Sequence, residues 1–501
     1  MTGSIRSCTG CFAIEGKQIM KKKTAILIAV FTAVLLLAAC GSSYEYQFGD
    51  VEWYSTYAEE KGTTIKDTYY YSDDWFSDKP EKENTELALV SMQLTAAAVT
   101  DEENGTGAAF LKSMGFDEVG FSDFKSTDPE DCNYTWARKT IPDGSTLVAV
   151  AIQSASDDMN IKNKGWKQNF TVNDPDAAEP SGEHFAFARA ADKVVDDLAA
   201  LGNTDKVKFW ITGQSRGGAI ANILAVRLSE KLGDKNAGIF AYTFEAPATV
   251  DEADKGDYKN IHNYVCSDDF VTMIPMWGMT RYGVTHDLKT KETDADLIAE
   301  LGKMGSEAAD LKPRIVTEKV ANEIVSNLGK KIPTRADFSK TMTDKWTGDD
   351  GNQHEITYSY QDSFTDLMDF VFSGDGSESP VSGLASKKDD LSAGIDHLVN
   401  GLKLENAGDD PSPEYWEAAE NFYDVLSKIA DEDSSATLNE EDVYKILRLA
   451  APVLIELPED QGEPSTELLT DVIGYNKELT YSHMFDTIIA RLKVLAPAPE
   501  K

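Results

Sequence analysis

Basic residues are scarce in this chain of 501: 48 Lys and Arg stand against 86 Asp and Glu, a formal net charge of −38. Such a surface repels phosphate, which excludes a nucleic-acid binder. It equally excludes adsorption onto an anionic bilayer through a basic patch. Cysteine is nearly absent, with five in the whole chain. Cys8 and Cys11 form a C-x-x-C upstream of an apolar leader, Cys40 closes that leader, and only Cys132 and Cys266 remain for the body. These two allow one disulfide or two buried thiols, but no disulfide framework. Metal-binding patterns are missing as well. The turn at Asp375-Gly376-Ser377 lacks the spaced carboxylates of a calcium loop, and no other motif calls for a metal or cofactor. There is no internal repeat. What is present is apolar material, 41% hydrophobic and 10% aromatic, enough for a sizeable core and too much for a disordered chain.

The longest apolar run, from Ala25 to Ala39, is broken only by Thr32. It falls short of the roughly 20 residues that span a bilayer. Lys21, Lys22 and Lys23 precede it, so it has the basic and apolar regions of an export signal. It ends Leu37-Ala38-Ala39-Cys40-Gly41, which resembles the lipobox of bacterial lipoproteins. That resemblance implies a diacylglyceryl group on Cys40, a mature chain beginning there, and an extracytoplasmic body held to the membrane by lipid. Met20 is then read as the start. Processing removes five basic residues (Arg6, Lys17, Lys21, Lys22 and Lys23) and Glu15, taking the charge from −38 to −42. Two acyl chains anchor firmly where one holds marginally.

Beyond the leader, Gly41 to about Thr64 shows no clear periodicity and reads as a tether. Helical spacing appears over Glu83 to Val99, Ala108 to Met114, Ser181 to Leu201 and Gly217 to Leu232. Dense apolar runs at Thr146 to Gln153, Val207 to Thr212, Ile239 to Phe244 and Ile261 to Cys266 read as buried strands. Strands alternating with helices predict a mostly parallel, doubly wound α/β sheet. After about Lys289 the texture changes to charged, mostly helical segments at 292–330, 385–404, 412–431 and 438–455. A last amphipathic segment runs from His483 to Leu495.

The sharpest signal is Gly213-Gln214-Ser215-Arg216-Gly217-Gly218, directly after the strand VKFWIT and directly before the helix AIANILAVRL. G-x-S-x-G alone is common, but strand–turn–helix is the context in which it becomes a nucleophile elbow. The turn holds the serine at strained backbone angles, so glycines on both sides are needed to avoid clashes. Ser215 Oγ is then presented at the carboxyl edge of the sheet, and the Arg216 N–H can donate to a developing oxyanion. Such a serine needs a base, and the base needs an orienting acid. The strand IHNYVC ends in Ser267-Asp268-Asp269, which puts two aspartates at that edge. In α/β-hydrolase order the histidine comes last. His184 and His262 break this order, while His354 and His397 lie in polar or helical surface texture. His286 and His483 remain.

The run Asp269-Phe270-Val271-Thr272-Met273-Ile274-Pro275 is similar to the D-P-V-x-x-L-P signature of class 3 (fungal-type) lipases, and Thr243-Phe244-Glu245-Ala246-Pro247 to their T-F-G-x-P strand end. The resemblance implies Asp269 as triad acid in preference to Asp268. It implies His483, opening the final helix, as base, with His286 as the alternative. It places the second oxyanion donor after an early strand, where this chain reads Ile152-Gln153-Ser154-Ala155 in place of R-G-S or R-G-T, leaving the N–H of Ser154 or Ala155. Trp166 to Phe170 and Glu183 to Phe187 fall where the family carries W-x-x-N and H-x-G-F. Gln214 and Arg216 replace a common His and Leu, and a cation beside the nucleophile puts a simple triglyceride substrate in doubt.

The expected organisation is therefore a leader over 1–39 and a lipidated tether over 40–64. An α/β-hydrolase core follows over 65–289, with a helical insertion or cap over 290–470 and the end of the core over 471–501. The expected activity is hydrolysis of a lipid or small-molecule carboxylic ester by Ser215, His483 and Asp269. Two other readings share this sequence: a non-catalytic surface lipoprotein that uses the fold for binding, and an amidase or acyltransferase with the same triad.

Overall fold

The computed structural model describes residues 44–55, 63–98, 105–123, 131–153, 168–177, 181–201, 206–232, 238–275, 277–288, 294–310, 332, 334–347, 351–365, 419–420, 422–423, 441–446, 448 and 481–499. Cys40, Ser154, Ala155, His397, the turn at Asp375 and most of 366–480 lie outside these. Residues Met1–Tyr46 and Gln47–Lys501 are separate units.

The chain opens with an antiparallel hairpin, β1 (Gln47–Tyr54) and β2 (Thr64–Tyr71). Strand β1 lies within the stretch 40–64 that the sequence reads as a tether. Val51 and Trp53 point inward and are buried, while their neighbours are polar or partly exposed. Only two inward residues carry the alternation, too few to register as a strand against the mixed aromatic and acidic background. Helix α1 (Thr85–Ala97) follows, capped by Asn84, whose side chain accepts from Leu87 N–H at 3.0 Å. From Leu87 onward every residue of α1 is buried, as expected of a helix apolar on all sides. Helix α2 (Thr106–Ser113) and the strands β3 (Glu118–Phe121), β4 (Tyr134–Thr140) and β5 (Thr146–Ile152) come next.

Helix α3 (Phe185–Leu201), strand β6 (Val207–Gln214), helix α4 (Ser215–Lys231) and strands β7 (Ile239–Phe244), β8 (Val250–Asp251), β9 (Ile261–Val265), β10 (Met279–Thr280) and β11 (Val284–Asp287) complete the central part. Seven strands form one sheet in the order β11-β9-β7-β6-β5-β4-β3. The five from β11 to β5 are parallel; β4 and β3 add antiparallel at the other edge. The chain is an α/β-hydrolase-like fold.

Alternation along β6 assigns the two faces. Phe209 and Ile211 join the core under α3 and α4, with Phe187, Leu198, Ile220 and Leu224. Trp210 and Thr212 face α1: Trp210 Nε1 donates to Ser91 Oγ at 2.7 Å, and Thr212 Oγ1 lies 2.9 Å from Thr95 Oγ1. Cys132 and Cys266 are buried free thiols.

Helix α5 (Asp294–Met304) begins the insertion, followed by a short helix α6 (Arg335–Phe338) and a second hairpin, β12 (Met342–Thr347) with β13 (Gln353–Tyr358). The hairpin falls between the segments 292–330 and 385–404 that the sequence reads as helical. Ile332, Phe338 and Phe364 pack with Phe170, Val172 and Ile274 of the hydrolase core, and the Trp277 indole donates to Ile332 O at 2.7 Å. Helix α7 (Phe485–Leu495) closes the chain against α1 and α5. Its Asp486, fully buried, accepts from Trp53 Nε1 (3.0 Å), Ser55 Oγ (2.9 Å) and Ser306 Oγ (2.6 Å). One carboxylate thus ties the first hairpin, the start of the insertion and the last helix together.

Candidate active site

Strand β6 delivers Ser215 to the carboxyl edge of the sheet as the first residue of α4. Its φ is +55°, the left-handed region, where a non-glycine residue costs about 1–2 kcal/mol. The elbow closes because α4 presses onto the strands. A Cβ on Gly213 would sit 2.4 Å from Gly217 O, and one on Gly217 would sit 2.6 Å from both Ile152 O and Gln153 O. The same contact brings the Arg216 N–H, at the unsatisfied start of the helix, beside the end of β5.

His483 lies in a short 3₁₀ turn (Tyr481–His483) just before α7. Its Nε2 is 2.9 Å from Ser215 Oγ and its Nδ1 is 2.6 Å from Asp269 Oδ2. Asp269 caps the 3₁₀ turn Phe270–Met273 after β9, with Oδ1 accepting from Val271 N–H at 3.0 Å. Its carboxylate is closed to solvent. With one oxygen held by the backbone, the other is placed to accept a hydrogen bond from Nδ1–H, the tautomer that leaves Nε2 as acceptor for the serine hydroxyl. Three residues separated by up to 268 positions converge. Asp268 turns away, with Oδ2 3.7 Å from the Arg491 guanidinium.

His286, the alternative base, is not in this cluster. It sits on β11, and β9 and β7 lie between that edge strand and β6. Its Nε2 is 3.1 Å from His262 Nδ1 and its Nδ1 is 3.2 Å from Glu83 Oε1. Burial lowers its pKa and the Glu83 carboxylate opposes that. His184 is a core residue, stacked on Phe187 with Nε2 3.0 Å from Asn169 O, and burial pushes its pKa down to about 3. His354 stands on β13.

Three neighbours of the cluster have no clear sequence signal. Gln214 Nε2 donates to His483 O at 2.7 Å. Glu245, at a left-handed φ of +44° after β7, is fully buried; its Oε2 accepts from Cys266 N–H at 2.9 Å. Burial first, then the negative charge of Asp269, hold its carboxyl well above the ordinary range. Arg281 Nε donates to Ala246 O at 2.6 Å, and its Nη2 donates to Thr272 O. It so clamps the Glu245 corner to the Asp269 turn. Burial brings its pKa down to about 10. Glutamate in place of the family's glycine in Thr243-Phe244-Glu245-Ala246-Pro247 is the sequence feature that marks the Glu245 corner.

Residues 152–279 match the model of the lipase (class 3) family. Among solved structures, a triacylglycerol lipase described as having a serine-protease triad is 18% identical, over 42% of this chain and 82% of its own, with a TM-score of 0.32. The Rhizomucor miehei triacylglyceride lipase is 19% identical over 41% and 80%, TM-score 0.30. Lip2 lipase from Yarrowia lipolytica is 12% identical over 41% and 78%, TM-score 0.27. No curated protein matches. The chain is class 3 lipase-like in the segment that carries the elbow and Asp269.

Proposed function

We propose that the protein is a serine hydrolase of carboxylic esters, lipase- or esterase-like, working through an acyl-enzyme. The observation that carries this reading is the Ser215–His483–Asp269 chain of hydrogen bonds, built on a left-handed serine at a strand–helix elbow. Ser215 Oγ attacks the ester carbonyl as His483 Nε2 takes its proton, and Asp269 steadies the imidazolium that forms. The tetrahedral oxyanion is held by the Arg216 N–H and a second donor from the 153–155 loop. Its collapse expels the alcohol, which takes the proton back from His483. Water, deprotonated by the same histidine, then attacks the acyl carbonyl, and the acid leaves as Ser215 regains its proton. Every proton taken is returned within the cycle, so these residues suffice for the chemistry.

We further place the body outside the cytoplasm on a lipid-modified Cys40, because a basic start, a short apolar run and a small-residue cysteine site occur in that order. A membrane tether and a lipid ester substrate are consistent with each other. The altered loop at Gln153-Ser154-Ala155 favours one other reading, a binding protein on a hydrolase fold.

Labelling of residues 41–501 with a fluorophosphonate probe separates the two. Hydrolysis requires labelling that disappears in Ser215→Ala; a folded protein that takes no label, or labels equally in Ser215→Ala, leaves the binding reading. Turnover of a p-nitrophenyl ester is expected to vanish in His483→Ala and persist in His286→Ala. Incorporation of labelled palmitate is expected in the full chain and not in Cys40→Ser; retention of label in that variant would remove the anchor.

A further inference from the structure

Beside the triad acid stands a second carboxyl that the reaction as described does not use. Glu245 forms the corner after β7, fully buried, with a φ of +44°. That is the left-handed region, which favours glycine, and the T-F-G-x-P stretch of class 3 lipases carries glycine there. This chain keeps a long acidic side chain where the backbone disfavours one. Such strain persists where the surroundings over-determine it, and it collects at active sites.

The contacts hold that side chain against the Asp269 turn. Glu245 N–H donates to Tyr264 O at 2.9 Å, and Glu245 Oε2 accepts from Cys266 N–H at 2.9 Å. The carbonyl of the same Cys266 accepts from Asp269 N–H at 3.0 Å. The Glu245 carboxyl also lies within hydrogen-bond reach of the Asp269 carboxyl. Two carboxyls in such contact, both closed to solvent, do not ionise together, so one keeps a proton and donates to the other. The donors around them decide which. Asp269 Oδ1 accepts from Val271 N–H at 3.0 Å, and Oδ2 lies 2.6 Å from His483 Nδ1. Glu245 accepts from the Cys266 N–H. The better-served carboxyl is the anion, and its remaining lone pairs can take a third donor.

The other groups around Glu245 fit a neutral acid. Arg281 faces it from the turn before β11 and Arg491 from α7. Asp268 Oδ2 stands 3.7 Å from the Arg491 guanidinium, and burial keeps the Cys266 thiol uncharged. With Glu245 protonated, the carboxylates of Asp268 and Asp269 balance these two guanidiniums. An ionised Glu245 would set a third negative charge beside the triad acid. Burial, followed by the Asp269 charge, raises the Glu245 pKa in the same sense.

We propose that Glu245 is a positioning residue of the triad, its protonated carboxyl donating to the Asp269 carboxylate and so fixing the orientation and charge that His483 faces. The inference rests on the hydrolase reading above and deepens it. A donor on Asp269 spreads the negative charge opposite Nδ1. Without that donor the imidazolium is held more strongly, and His483 becomes more basic.

The test compares Glu245→Met and Glu245→Gln with the wild type by the pH profile of p-nitrophenyl ester turnover and by infrared difference spectroscopy. Glu245→Met keeps the length of the side chain and has no proton to donate. Its kcat is expected to fall about tenfold with KM within about twofold. The acid limb of its profile is expected to move up by about half a pH unit or more. Glu245→Gln offers a carbonyl to Cys266 N–H and an amide N–H to Asp269. It is expected to recover most of the loss, with its acid limb at the wild-type position. The wild type at pH 7 is expected to show a protonated-carboxyl C=O band that Glu245→Gln removes. An acid limb moved down in Glu245→Gln would mean that a negative charge had been removed, and would overturn the proposal. So would profiles of one shape in all three proteins, which is what a merely structural corner predicts. If Glu245→Met does not fold, the Glu245→Gln profile and the infrared band decide between these outcomes. Fluorophosphonate labelling of the wild type is run in parallel. Absence of label removes the hydrolase reading, whereas a labelled wild type without the infrared band removes this inference alone.

Discussion

Gln214 reaches across from the end of β6 and donates through Nε2 to the backbone carbonyl of His483 at 2.7 Å. The residue before the serine therefore holds the main chain of the histidine that faces the serine. It is buried and leaves the helix N-cap unserved to do so. The two partners stand 269 positions apart, so this contact couples the elbow to the carboxyl end of the chain. Loss of one such bond is worth about 1 kcal/mol. Gln214→Ala is expected to lower kcat several-fold, with KM and the urea midpoint nearly unchanged. Gln214→Glu, which opposes a carboxylate to a carbonyl oxygen, is expected to lose more. Equal kcat in all three proteins would show that His483 is held by its other contacts.

Glu245 gives a pH-dependent prediction. Its folded-state pKa is raised by burial and by the Asp269 charge, with the Cys266 N–H opposing. The native state then keeps a proton that the unfolded chain releases near the ordinary glutamate value of about 4.3. The stability this group contributes is complete below that value and is lost as pH rises toward the folded pKa. Glu245→Gln retains an acceptor for Cys266 N–H and has no proton to lose. Its melting temperature relative to wild type is expected to be higher at pH 8 than at pH 5. A difference that stays constant over that interval would mean Glu245 is ionised in the fold.

Asp486 is the closure of the molecule. Asp486→Ala removes the carboxylate that accepts from Trp53 Nε1, Ser55 Oγ and Ser306 Oγ. Loss of a buried carboxylate that holds three such bonds corresponds to about 3–5 kcal/mol. Urea unfolding is expected to show a loss of this size. Limited proteolysis is expected to cut first near the 47–71 hairpin, and an unchanged digestion pattern would place the closure elsewhere.

Gly217 is fixed by close approach. An alanine Cβ there meets the backbone oxygens of Ile152, the last residue of β5, and of Gln153 at 2.6 Å, and main-chain atoms cannot turn aside as a side chain can. Gly217→Ala is expected to cost about 2–3 kcal/mol and to reduce ester turnover, since the end of β5 leads into the 153–155 loop. Gly144→Ser, at a φ of +81° with open space around its Cβ position, serves as a control expected to strain only a surface turn and spare turnover.

The sequence by itself determined the parts of this protein that depend on short-range pattern. The apolar runs of β5, β6, β7 and β9 and the flanking helices follow from periodicity. Ser215 follows from G-x-S-x-G between strand and helix, and Asp269 from its place after a strand together with a family resemblance. Strand β1 was illegible because only Val51 and Trp53 carry its inward face, and β11 because Val284 to Asp287 is a short edge strand exposed on much of its surface. Tertiary structure alone decided which histidine faces Ser215. His286 is 17 residues from Asp269 in the chain yet is separated from β6 by two strands, whereas His483, 214 residues away, touches both. Gln214, Glu245 and Arg281 belong to the same class. Gln214 meets His483 269 positions away, and Glu245 and Arg281 meet Cys266, Ala246 and Thr272 across separate turns at the edge of the sheet, so their hydrogen-bond partners leave no periodic local pattern to read.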